Sequence, residues 1–299
     1  MIKRLVFCFF LFFSLMVKAQ DLRINNTGAY FSDYTSDNLS KAFKELDYET
    51  YILPQANAYP RLFVKNLPSD LALMEDKTFR NRLFMQILIP LILKANEEVL
   101  QEREIVEALE YDFEQNKDFD EADMYYLDEL AQKYDVSSKF KDTRRYLKLF
   151  AELKQKVDIV PPSILLAAAA IYTDWGTSRV AQLANNLYQT KMWFSNEGLE
   201  PSGGKEEGFT YKIYDSLEDC ISDYVLKINS NINYQTFRQS RTQARKKGDI
   251  LYGKRFDWTM ILDSNLPNFA GLLDYTLTYY KLHHVDEATL ENEYDLGEN

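Results

Sequence analysis

The stretch Val160 to Tyr188, VPPSILLAAAAIYTDWGTSRVAQLANNLY, constrains this chain more than any other. Pro161 and Pro162 stop an incoming helix but are tolerated in a first turn. Ser163 to Ala170 is then apolar almost all round, which predicts a fully buried helix. Its four alanines let neighbouring elements approach closely. Trp175-Gly176 breaks the helix, Thr177-Ser178 supplies hydroxyls to cap the next one, and Asn185-Asn186 ends that. A buried helix that stops in a polar, aromatic turn sets a side chain at the wall of a cleft.

Upstream, Phe79 to Leu109 is the longest helical pattern, with Leu83, Ile87, Leu91, Ala95 and Leu100 near a 3.6-residue period. Pro90 inside it predicts a kink or a split. Asp21 to Pro60 is polar and aromatic, with weak helical signals at Leu39 to Leu46 and a short extended run at Tyr51 to Leu53. Tyr125 to Tyr134 and Thr143 to Val157 read as amphipathic helices leading into the buried one. After Asn186 the pattern turns extended. Leu187 to Phe194 and Phe209 to Tyr214, separated by a glycine-rich loop, predict a β-hairpin. Ser216 to Asp219 resembles a capping box opening a helix through Ile228, followed by Asn233 to Arg245 and Phe269 to Leu282.

The first nineteen residues read as an export signal: Lys3-Arg4, an apolar run from Leu5 to Val17, and a small-residue cleavage site at Val17-Lys18-Ala19. The run is too short to span a membrane. Its removal takes away Lys3, Arg4 and Lys18 and moves the net charge from −11 to −14. That balance disfavours nucleic acid as a partner. Only Cys220 then remains, so no internal disulfide forms, and in an oxidising compartment a buried, inert thiol is expected. His283 and His284 have no zinc-ligand spacing, and nothing here calls for a metal or cofactor. Glu97 to Glu129 holds fourteen acids against Arg103 and Lys117, without the D-x-D-x-D-G spacing of a calcium loop. It reads as a solvated face.

Three separated motifs carry a resemblance. PPSILLAAAAIYTDWGTSR followed by NNLY is similar to the PSLVLAQAANES-x-WGTSR and NNLFG core of the Bax-type branch of the glucosaminidase superfamily, peptidoglycan hydrolases related to flagellar rod-associated glucosaminidases and autolysins. Phe84 to Arg103 resembles the branch's upstream helix. Tyr214 to Arg241 resembles its downstream Ser-, Tyr- and Arg-containing pattern. The likeness runs from about Leu67 to His283. It implies an exported enzyme that cuts the β-1,4 bond after N-acetylglucosamine in cell-wall glycan.

The same alignment puts Tyr172 on the family's catalytic Glu, Thr173 on the following Ser and Ala168 on its Gln. Gln189 replaces the Gly of NNLFG, and Asn268-Phe269-Ala270 stands for a Tyr-Ser-rich segment. Glycoside hydrolysis normally needs one protonated carboxyl on the leaving oxygen and a second carboxylate at the sugar. A phenol, with an ordinary pKa of about 10, is a poor donor to an ether oxygen. Asp174 is the fallback acid, although two residues along a helix turn it by about 200° to the opposite face. As substrate-binding residues the resemblance and the residue types point to Trp175, Asn185, Asn186, Tyr188, Trp193 and Tyr224, with Tyr211 and Tyr214 as further rings. Each has a structural alternative: Trp175 as core packing, Asn186 as a helix cap.

The expected architecture is mainly α, a lysozyme-like α+β fold in which a helical domain carries one small β-hairpin beside the cleft. The expected divisions are a signal peptide (1–19), an N-terminal arm (20–66), a helical acidic region packing on the core (67–157), a glucosaminidase-like domain (158–284) and an acidic disordered tail (285–299). Function reads as an exported, periplasmic or extracellular protein acting on or binding peptidoglycan glycan strands, with hydrolysis lost or weakened; the alternative is an active enzyme using Asp174. A protein partner would dock through acidic 97–129 or basic 238–247, the latter holding Arg238, Arg241, Arg245, Lys246 and Lys247. No transmembrane segment is read in the mature chain. The mature protein is expected to begin at Gln20. N-terminal sequencing of exported material checks this, and an intact Met1 on a membrane-embedded product would contradict it.

Overall fold

The computed structural model describes residues 21–51, 58–115, 118–137, 143–203, 208–256, 259 and 266–292. The export signal expected over 1–19 lies outside them. Among the described residues no helix is long and apolar enough to cross a membrane.

The chain opens with strands β1 (Asp21–Asn25) and β2 (Gly28–Ser32) and helix α1 (Ser36–Glu45). Strands β3 (Ala58–Tyr59) and β4 (Leu62–Val64) lead to the long helix α2 (Lys77–Glu114). Helices α3 (Glu121–Lys133), α4 (Thr143–Lys156), α5 (Pro162–Thr173) and α6 (Arg179–Ala184) follow. Strands β5 (Lys191–Trp193) and β6 (Phe209–Tyr211), helices α7 (Leu217–Ser230), α8 (Gln235–Lys246) and α9 (Phe269–Tyr279), and strand β7 (Thr289–Leu290) complete it. Helices dominate, and β5 and β6 form the expected antiparallel hairpin. Two further strand groups escape sequence reading. β2 pairs antiparallel with β1 and parallel with β4, and β3 pairs parallel with β7. These strands are short, and their parallel partners lie far along the chain, so no local alternation betrays them. Most of the extended run at Tyr51 to Leu53 lies outside the described residues.

Helix α5 is the core element. Every residue from Pro162 to Ala170 is buried, and the helix packs against α2 and α9. Pro161 gives its N-terminus no side-chain cap. The cap comes from the other end of the chain. Asp286 Oδ1 accepts the Ser163 amide at 2.9 Å, and its Oδ2 accepts the Ser163 hydroxyl and the Gly253 amide, each at 2.8 Å. A side chain at Gly253 would place its Cβ 2.1 Å from Ser163 Oγ, so glycine is required there. Burial pushes the Asp286 carboxyl up to about 6, against the three donors that lower it.

Of the two outcomes expected at Pro90, a kink or a split, the split does not occur: helix α2 runs through Pro90 without a break. A proline removes the amide that would bond the carbonyl four residues earlier, here that of Gln86. The Tyr48 hydroxyl donates to that carbonyl at 3.2 Å, and Gln86 Nε2 donates back to the Tyr48 carbonyl at 2.6 Å. The N-terminal arm thus repairs the gap. The tail also departs from expectation. Leu282–Val285 forms a 3₁₀ turn, Asp286 is buried and β7 is paired, so order extends to 292; residues 293–299 lie outside the described residues.

Two outcomes follow from this packing. Ala169 has no exposed surface, so Ala169→Leu overpacks α5 and lowers stability by about 1–3 kcal/mol in a denaturant melt. The raised Asp286 pKa favours the native state while the unfolded carboxyl is still protonated; that contribution is lost as pH rises from the unfolded value of 3.8 through about 6. Relative to Asp286→Asn, wild-type stability is expected to fall by roughly 2–3 kcal/mol across that window. Paired melts at each pH measure it, and parallel curves would contradict it.

Candidate glycan-binding site

Helix α5 ends in a turn with three successive left-handed residues, Asp174 (φ 47°), Trp175 (φ 58°) and Gly176 (φ 81°). Only glycine adopts that conformation freely. Hydrogen bonds hold the turn. Thr173 Oγ1 donates to the Ala169 carbonyl at 2.6 Å and accepts the Gly176 amide at 2.8 Å. Gln182 Nε2 donates to the Gly176 carbonyl, and the Thr177 hydroxyl lies against both the Asp174 carbonyl and its carboxylate. Ser178 caps α6 by accepting the Ala181 amide at 3.2 Å.

The turn separates Tyr172 from Asp174. Tyr172 is 8% exposed and stacks on Phe269 of α9, with centroids 5.1 Å apart and planes at 26°. Asp174 is exposed. Gln189, itself left-handed at φ 53°, donates from Nε2 to the Tyr172 carbonyl at 2.8 Å. Ala168, 1% exposed, lies one turn before Tyr172 on the same face. Tyr172, Gln189 and Phe269, three positions where the sequence leaves the pattern it resembles, therefore meet at one place, with a fourth, Ala168, one turn away on the same helix face. Sequence reading noted each departure but not their contact.

The other residues singled out from sequence fall into two groups. Asn185 is buried and left-handed, closing α6 and donating to the Tyr214 carbonyl at 3.1 Å. Asn186 has no exposed surface; its amide donates to the Thr190 and Lys212 carbonyls and accepts the Thr190 amide. Tyr188 and Tyr224 are buried and stack at 3.9 Å, with the Tyr188 hydroxyl on the Leu165 carbonyl. Tyr214 is buried with its hydroxyl 2.6 Å from Asp223. On the surface side, Trp193 is 60% exposed on β5, and Lys191 lies over Phe209 at 4.0 Å. Trp175 is half-buried, edge-on to Phe84 at 6.1 Å and 4.5 Å from Tyr280. Sequence reading missed the exposed tyrosines of α9, although Tyr275 and Tyr279 stand one helical turn apart.

Some of the charged residues in the segments read as possible docking faces have partners within the chain, while Arg245, Lys246, Lys247 and most of the acids of 97–129 are exposed. Arg238 and Arg241 are buried and donate to backbone carbonyls, and Arg245 pairs with Asp158 at 2.7 Å. In the acidic run, Glu97 pairs with Arg61, Glu102 with Lys133 and Glu110 with Lys154. Cys220 is a buried free thiol that burial pushes up to about 12; its Sγ accepts the Leu187 amide. A cavity of about 470 Å³ lined by Glu98, Lys133, Tyr214 and Asp223 draws no residue from α5.

Residues 147–260 match the glucosaminidase family model, described as mannosyl-glycoprotein endo-beta-N-acetylglucosaminidase. Protein bax of Escherichia coli (strain K12) is 30% identical over 177 residues, covering 59% of this chain and 61% of that protein. Peptidoglycan hydrolase FlgJ of Vibrio parahaemolyticus is 31% identical over 129 residues, covering 38% of this chain and 42% of that one. The chain thus spans about three-fifths and two-fifths of the lengths of these relatives. The catalytic domain of the Listeria monocytogenes autolysin Auto superposes with a TM-score of 0.30 at 14% identity, covering 60% of this chain and 96% of that domain.

Proposed function

Because this chain is a Bax-type member of the glucosaminidase superfamily, we propose that it is exported and binds the glycan strands of bacterial peptidoglycan, with hydrolysis lost or strongly weakened. The observation that carries this reading is Tyr172. The resemblance assigns its position to the acid that protonates the glycosidic oxygen. Here that position holds a phenol ring, buried and stacked on Phe269. Gln189 ties down the Tyr172 backbone at the same spot. General acid catalysis typically contributes about 10²–10⁴-fold, so its loss leaves at most a trace rate. Recognition of sugar by ring stacking needs no carboxyl.

The test is digestion and binding of purified glycan strands by wild type, Asp174→Asn and Tyr172→Phe. Wild type is expected to sediment with the strands and to release no new reducing ends at any pH. Robust wild-type turnover that Asp174→Asn abolishes and Tyr172→Phe leaves intact would overturn the proposal and name Asp174 as the acid. Wild type that neither cuts nor binds the strands would overturn the binding role as well.

A further inference from the structure

The hairpin of β5 and β6 carries aromatic rings whose exposure climbs toward its tip. Tyr211 packs edge-on to Phe209 at 5.3 Å, and Phe209, 7% exposed, lies 5.3 Å from Trp193. Trp193 is 60% exposed, and Phe194, the next residue, 96%. Phe194 is also left-handed, at φ 57°, a conformation that disfavours a bulky side chain. Single exposed apolar residues are ordinary on a protein surface. An almost bare phenyl ring held in a disfavoured backbone state is not, and no burial of that ring offsets the cost.

The tip is held in place by its own backbone. The Phe194 amide donates to the Gly208 carbonyl at 3.1 Å, and Ser195 Oγ accepts the Glu197 amide at 3.1 Å, which closes the turn. Behind it the Thr210 hydroxyl donates to the Glu197 carbonyl, and Leu199 and Tyr211 exchange two backbone bonds of 2.9 and 2.8 Å. Gly198 permits that approach, since a Cβ there would stand 2.5 Å from the Tyr211 carbonyl oxygen. Arg179 Nη1 ties the same loop to α6 by donating to the Glu200 carbonyl at 2.8 Å. One cation sits beside the rings. The Lys191 ammonium lies 4.0 Å from the Phe209 ring centre and 5.7 Å from that of Trp193.

We propose that this tip inserts into the surface of a lipid bilayer, with Phe194 leading, Trp193 at headgroup level and Lys191 behind them. The order of groups is that of a bilayer interface: an apolar ring outermost, an amphipathic indole next, and a cation on a flexible stem last. Shape points away from a small ligand. Such ligands are held in clefts, whereas a ring 96% exposed stands on a convex point, and neither cavity of the described residues, about 470 and 570 Å³, includes Trp193 or Phe194. Area points away from a protein. Two projecting rings offer roughly 300–400 Å², short of the ~800 Å² that a stable interface takes from each partner. Charge selects the lipid. A net charge of −11 repels an anionic surface, so apolar insertion drives the contact and the lipid is zwitterionic. The inference goes beyond the glycan-binding reading and does not rest on it.

Sedimentation with phosphatidylcholine vesicles tests this. Wild type is expected to pellet with them, and raised salt should leave the bound fraction unchanged because no charge attraction drives the contact. Asn tolerates the left-handed backbone, so Phe194→Asn should melt as wild type does and still weaken vesicle binding about tenfold or more. Trp193→Phe should keep binding and lose the tryptophan emission that a headgroup-labelled lipid quenches, which locates the insertion. Wild type that stays in the supernatant, or Phe194→Asn that pellets like wild type, would overturn the proposal. So would undiminished quenching in Trp193→Phe, or binding confined to anionic vesicles and removed by salt. Phe194→Asn that loses glycan strands and keeps vesicles would overturn it and assign the rings to sugar. Vesicle binding through the tip by a protein that ignores glycan strands would support it and overturn the glycan reading alone.

Discussion

Arg241 holds the chain where α4 hands over to α5, and the position of α5 depends on it. The side chain has no exposed surface. It donates to the carbonyls of Gln155, Lys156, Asp158 and Ile159 and to Asn229 Oδ1, all within 3.3 Å. Burial lowers its pKa to about 10 against the opposing pull of Asp158, so it stays charged at neutral pH. Burial alone would raise Asp158, but Arg241, Arg245 and Arg103 overcome it and hold the carboxyl below its usual value. A buried ion cluster is weak evidence for net stability, since desolvation offsets much of the attraction. Its effect here is register. The turn at 155–160 is gripped from α2 by Asn96 and Arg103, from α7 by Asn229, and from α8 by Arg241 and Arg245. With Asp286 capping the helix that follows, the side chains of α5 have one set of faces to occupy.

What was legible in the sequence was local. The apolar run of α5, the hydroxyl of Ser178, and Ser216 at the start of α7 each state their role within a few residues, and each appears as read. What stayed hidden depends on distant partners. Whether Pro90 would kink or split its helix stayed open in the sequence because the group that bonds the freed carbonyl comes from Tyr48, outside the helix. Arg238 and Arg241 looked like a basic surface because sequence displays charge and not the carbonyls that surround it. Asp286 sat in an acidic stretch that resembled a tail, and only the fold brings it to Ser163 and Gly253.

The same limit applied to the site. Tyr172, Gln189 and Phe269 each read as an isolated departure from a pattern. In the structure they form one joined group, ring on ring and amide on carbonyl. A large phenol placed at the end of a fully packed helix needs a surface to lie on, and Phe269 supplies it. Asn186 and Tyr188 illustrate the converse. Their residue types suit sugar binding, but an amide making three backbone bonds and a ring stacked inside the core are already committed.

The Asp174-Trp175-Gly176 turn links the site's backbone to its surface. A non-glycine residue held left-handed costs on the order of 1–2 kcal/mol, and two stand in succession here. Such strain persists only where the surroundings over-determine it, as the Thr173, Thr177 and Gln182 bonds do. The return on it is not full burial, because Asp174 is exposed and Trp175 only half-buried. What the turn achieves is to lay the Trp175 ring between Phe84 and Tyr280, joining the end of α5 to the tyrosines of α9.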